Sequence, residues 1–154
     1  MKKLIPLVAA CLVASAAWAA DLSNSAILQL RWVLDAPSAE SEPMSLVSGN
    51  RKEVMNVQKA VQFDQTSLKS AKAHADKGYS RIEIIFTEEG QKRFAEVTRL
   101  NVGRRLAIVL DGQLYCAPVI NAAIPGGKAE ITGDFGEPKA RELAAKITEA
   151  IKKR

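Results

Sequence analysis

Among the 154 residues there is one histidine, His74, and there are two cysteines, Cys11 and Cys116. An imidazole beside a thiol makes a nucleophilic pair, and such partners meet in space rather than in sequence. Cys116 with His74 is therefore one reading of the chain. A metal site needs more companions, and no His, Cys or Asp cluster has ligand spacing. Cys116 lies in an apolar run, where a thiol serves as a small hydrophobe, and a lone His74 reads as a solvent-facing side chain. Gly126-Gly127 invites a phosphate cradle, but a cradle needs a helix N-terminus and a Lys/Ser pattern behind it. A strand pattern follows instead. On this reading the chain has no catalytic residue, no metal ligand and no cofactor.

The elements that would position any site centre on residues 105–120. Leu106 to Leu110 and Leu114 to Ala117 are apolar runs around Asp111-Gly112, and Asp-Gly between such runs predicts a tight β-hairpin. Pro118, without an N–H, marks where the second strand leaves the sheet. Upstream, Leu28, Leu30, Trp32 and Leu34 alternate with Gln29, Arg31 and Val33, the period of a half-buried strand. Residues 35–50, with Pro37, Pro43, Gly49 and several Ser and Glu, read as an exposed loop. Residues 53–63 predict one or two strands with an irregularity near Gln58-Lys59. Residues 70–75 suit a helix by alanine content, but Asp76-Lys77-Gly78 and the strand Arg81 to Thr87 favour a hairpin partner. Thr87 caps a helix with Glu88 and Glu89 in its first turn, and Gly103 ends it in the left-handed conformation. Thr98 and Asn101 are polar on its inward side and are expected to bond the backbone of the following hairpin. Pro125-Gly126-Gly127 reads as a hairpin tip before the strand Lys128 to Thr132. Gly133-Asp134-Phe135-Gly136 breaks the chain. Pro138 opens a last helix whose apolar face is Leu143, Ala144, Ile147 and Ile151. The order implies an α+β fold, a mostly antiparallel β-sheet with two main helices packed on one face.

Length and composition allow a single domain with a real core: 47% of residues are hydrophobic and 25% charged. Residues 1–19 read as a signal peptide. Lys2 and Lys3 are its basic start, residues 4–14 its apolar part and Ala17-Trp18-Ala19 its cleavage site. The domain would then be 20–154. A permanent anchor is the alternative, although the apolar segment is short for a bilayer span. Lipid attachment at Cys11 is another. Without Lys2 and Lys3, 20 basic residues face 17 acidic ones, a net charge of +3, and no basic stripe interleaved with aromatics suggests nucleic acid. Once Cys11 has left, Cys116 has no partner for an internal disulfide. Lys69, Lys72, Arg81, Lys92, Arg93, Arg99, Arg104 and Arg105 give the middle of the chain a basic bias, suited to solvent, anionic lipid or acidic polypeptide.

One pattern is more specific. Thr98-x-x-Asn101-x-Gly103-x-x-Leu106-Ala107-Ile108-x-Leu110-Asp111-Gly112 continues through Ala117-Pro118-x-Ile120. Ile131-x-Gly133-x-Phe135 and Ala140-x-x-Leu143-Ala144 follow, and Ala26-x-Leu28-x-Leu30-Arg31-x-Val33 precedes. On these motifs the chain resembles the periplasmic head subdomain of SecD, of the SecD/SecF protein-export complex, over residues 26–147. The likeness is strong in the second half and weak between 35 and 79. Neither the transmembrane helices nor the base subdomain of SecD is recognisable, and Cys116 stands where a small residue such as Ser is expected. The resemblance implies a fold and a contact surface for exported polypeptide, without catalytic residues and without proton-driven pulling. The leading expectation is a non-catalytic, periplasmic or otherwise exported binding module for unfolded polypeptide. It would bind by strand addition at an open sheet edge, with residues 35–50 and the tip Pro125, Gly126 and Gly127 as mobile segments and the tip as the candidate contact. Thr98, Asn101, Gly103, Asp111, Gly112, Pro118 and Gly133 would hold the fold. The alternatives are an envelope assembly protein that binds a folded partner with no role in export, and a small hydrolase using Cys116.

Overall fold

The five apolar residues Leu106–Leu110 are all buried, which requires cover on both faces of the strand they form. A computed structural model describes residues 26–48, 51–76 and 78–153. The expected signal peptide, its cleavage site and Cys11 lie outside these residues. In chain order the strands are β1 (Leu28–Leu34), β2 (Ser41–Ser48), β3 (Arg51–Gln58), β4 (Phe63–Asp64), β5 (Leu68–Asp76) and β6 (Tyr79–Phe86). Helix α1 (Glu88–Leu100), strands β7 (Leu106–Leu110), β8 (Gln113–Cys116) and β9 (Lys128–Thr132), and helix α2 (Glu137–Lys152) follow.

The strands divide into two sheets, and every pairing between them is antiparallel. The larger has the order β2-β3-β1-β7-β8, with β4 also paired to β1; the smaller has the order β5-β6-β9. The β7–β8 hairpin closes one end of the larger sheet, with β1 at its middle. Asp111 (φ 50) and Gly112 (φ 78) both take positive φ, as a two-residue turn matching strand twist demands. Asp111 also accepts from Lys146 of α2 at 2.6 Å. Together with Glu142, it pushes the Lys146 ammonium up to about 12.

One face of β1 and β7 meets the smaller sheet and both helices in the main core. Leu28, Leu30 and Trp32 pack there with Ile82, Ile84, Ile131, Leu143 and Ile147. Phe94 of α1 stacks on Phe86 at 4.5 Å and meets Phe63 edge-on at 5.3 Å. Burial of one such ring contributes about 1.5–3 kcal/mol. Thr87 caps α1 by accepting from Gly90 N at 3.0 Å. The helix start sits so close to the preceding turn that a Cβ at Gly90 would collide with the Ser67 carbonyl oxygen.

Two expectations change here. The alternation in β1 suggests one solvated face, yet Gln29 and Arg31 are both only 5% exposed. The residues expected as a loop explain this. Within 35–50, Ser41–Ser48 form β2, paired with β3 from Ser41↔Gln58 to Ser48↔Arg51. The β2–β3 ribbon covers the second face of β1 and β7, where Met55, Val57, Ala107, Val109 and Leu114 form a separate cluster joined by Met44 and Leu46. Pro43 is tolerated because β2 is an edge strand, where a missing N–H takes nothing from the ladder.

Arg31 holds this ribbon down. Its Nε donates to Gln58 O at 2.6 Å, and its guanidinium pairs with Glu42 at 2.7 Å. Arg31→Met should keep much of the packing but lose both bonds. Urea unfolding should then show a loss of about 1–3 kcal/mol, with a smaller loss for Glu42→Gln; unchanged stability in Arg31→Met would refute this role.

Candidate functional site

The loop 133–136 is where the two sheets and α2 come together at the surface. Gly133 permits it: a Cβ there would stand 2.9 Å from the Phe135 ring and 3.4 Å from Tyr115 O. The Tyr115 and Phe135 rings meet edge to face at 5.5 Å. Around this loop lie three adjoining clefts. The first, about 840 Å³, lies between Glu42–Ser45 of β2 and the residues Gly112–Tyr115. The second, about 610 Å³, runs beside Gly78–Arg81. The third, about 390 Å³, holds Cys116, Leu46 and Thr132. Asp134 lines all three, so together they make one branched groove.

Backbone gives this groove its chemistry. β2 and β8 end the larger sheet, and each has one side without a partner strand. Pro43 stands opposite Asn56 without disturbing the ladder, so its nitrogen faces away from β3. The period of two in a strand then puts the Ser45 amide on that same outer side. Such an edge can accept an extended chain. The charges along it are already engaged: Glu42 with Arg31 and Lys139 with Glu142.

The residues expected to matter are distributed differently. Pro125 and Gly126 are exposed, but Gly127 is buried. Gln91 Nε2 donates to Pro125 O at 2.7 Å, and Phe86 N donates to Gly127 O at 2.9 Å. The expected mobile hairpin tip is thus a tethered lead-in to β9, because the residues before it pair with no strand beyond one bridge, Arg105↔Val119. Thr98 is fully buried, donates to Phe94 O, and accepts from Ile124 N at 2.9 Å. It therefore bonds the segment after the hairpin rather than the hairpin itself. Asn101 donates to Val97 O of its own helix and accepts from Arg104. Gly103 takes φ +89, and its N–H donates to Ile120 O. Pro118 leaves β8 and accepts from Leu106 N. Of the expected residues, Gly133, Gly112 at the hairpin turn and Pro118 line the groove. The free edge of β2 and the Tyr115–Phe135 pair were missed; Phe135 between two glycines was the one signal available.

Cys116 and His74 do not share a cleft. His74 is on β5, 3.9 Å from Glu83. Burial pushes the Cys116 thiol up to about 11, against a small opposing effect of a backbone hydrogen bond to Thr132. A thiol held neutral is a poor nucleophile. Among the described residues no group of three or more His, Cys, Asp and Glu is placed to hold a metal ion, and no helix is long and apolar enough to cross a membrane.

These features define a small α+β domain whose surface offers grooves and strand edges. The chain belongs to the SecDF P1 head subdomain family, whose profile matches residues 41–150. SecDF of Thermus thermophilus is 54% identical over 67 residues, 44% of this chain and 9% of that one. SecD of Rickettsia bellii is 43% identical over 100 residues, 64% of this chain and 20% of that one. A solved structure of SecDF, presented as a membrane component that enhances protein export, matches with a TM-score of 0.61 and 31% identity. That match covers 80% of this chain and 62% of the other. The chain spans a fifth or less of these two curated relatives.

The thiol gives a pH test. Its ordinary value is 9.0, below the folded value of about 11. Its contribution to stability is therefore complete below about pH 9 and is lost as pH rises toward 11. Iodoacetamide at pH 8 should label Cys116 far more slowly in the folded chain than in urea, and the folded rate should climb with pH. Equal rates, followed by peptide mass spectrometry, would show an accessible and activated thiol.

Proposed function

We propose that this chain is an exported, non-catalytic head module that holds extended polypeptide in the cell envelope during protein export. On this reading residues 1–19 direct export and 20–154 form the working domain in the periplasm or its equivalent. The observation that carries the reading is the branched groove around residues 133–136, bordered by the unpaired edges of β2 and β8. An unfolded chain presents the same backbone groups everywhere, so an edge that pairs main chain to main chain binds many sequences. The half-buried Tyr115, with Met44 and Pro43 beside it, adds apolar contact for alternate side chains of the bound segment. Membership of the SecDF P1 head family supports the export setting.

The test is an NMR titration of the full chain with an unfolded polypeptide lacking acidic runs. Shifts are expected at 42–45, 113–115 and 133–136. Ser45→Pro should keep the β2–β3 ladder and remove an outward donor, weakening binding by about tenfold, the worth of roughly one hydrogen bond. Shifts confined to other surfaces, or wild-type affinity in Ser45→Pro, would overturn the proposal.

A further inference from the structure

A second strand edge lies open elsewhere, and it carries its own inference. β5 ends the order β5-β6-β9, so it is paired only on its β6 side. Edges of this kind are commonly covered by a helix, and α2 runs beside β5. The cover is incomplete. Thr148 Oγ1 stands 3.2 Å from Ala71 O and 2.8 Å from Ala144 O of its own helix, so its one proton is shared between strand and helix at a single point. Between strand and helix there remains a groove of about 580 Å³. It shares no lining residue with the clefts around 133–136.

The groove has the length, the room and the charge for one kind of occupant. Its strand wall is Ala71–His74 and its helical wall runs from Arg141 to Lys152, so an incoming strand pairs over about four residues, roughly 13 Å. Ala73, Ala144 and Ala145 line it, so alternate side chains of an incoming strand find space rather than bulk. Its charges are unequal: Lys72, Arg141 and Lys152 line it against one carboxylate, Glu149. Arg141 is paired with Glu137, and His74 stands near Glu83. Among the described residues no ion pair engages Lys72 or Lys152. A second copy adding through the same edge would set these cations against each other, which opposes pairing.

We infer that the groove between β5 and α2 binds an extended acidic segment of a partner polypeptide, which adds as a strand to β5. This goes beyond the groove at 133–136 and uses different residues, so either reading can fail alone.

Fluorescence anisotropy on the full chain tests it, with a labelled peptide of about eight residues alternating Thr and Glu. A matching peptide with Lys for Glu is the control. The acidic peptide should bind, and the basic one should bind at least about tenfold more weakly. Ala145→Trp fills the groove from an exposed position and should abolish binding while circular dichroism stays unchanged. Lys72→Glu with Lys152→Glu should weaken binding about tenfold and reduce its salt dependence. Equal binding of the two peptides, or wild-type binding by Ala145→Trp, overturns the inference. So does a concentration-dependent dimer that Ala145→Trp abolishes, since the occupant would then be a second copy.

Discussion

A guanidinium buried on a central strand has to find oxygens, and in this fold the β2–β3 ribbon supplies them. Arg31 is on β1, which pairs with β3, β4 and β7. Its charge is satisfied by Gln58 O and Glu42, one from each strand of the ribbon. The cost of desolvating a cation is recovered only if both partners stay in place. The ribbon is thereby held over Ala107 and Val109, which completes the burial of β7 and leaves the free edge of β2 facing the groove that also borders β8. The groove exists because the ribbon is bound at its inner side and unpaired at its outer one.

What could be read from the sequence follows from how local each cause is. The β7–β8 hairpin was legible because Asp111-Gly112 dictates its turn from two residues. Helix α1 was legible because Thr87 and Gly103 mark its ends and Glu88 and Glu89 suit its first turn. β2 was not. Ser41, Pro43, Ser45 and Ser48 carry no strand signal of their own, and the segment is a strand because β3 pairs with it. The burial of Gln29 and Arg31 was hidden for the same reason, since what covers them is a segment that reads as a loop. Thr98 was visible as a polar group needing a partner, but nothing nearby names Ile124, 26 residues on. The groove gathers residues from β2, β8 and the loop before α2, and no sequence window contains all three.

The two exposed edges are managed by different means. α2 shields β5 partly, through one hydroxyl and a row of small alanines that fill little of the space beside the strand. β2 is shielded by composition. Among its described side chains only Pro43 and Ser45 are exposed, and its amide row is interrupted at Pro43.

That interruption at Pro43 has a kinetic meaning. A chain that adds to β2 cannot zip along its whole length, because the ladder loses a rung where the amide is missing. Association needs only a few contacts, whereas residence time grows with each consecutive bond. A gap therefore shortens the dwell without slowing the capture. On the proposed reading, such an edge would hold a passing chain briefly and let it go without an energy source, and the same gap opposes edge-to-edge pairing of its own copies.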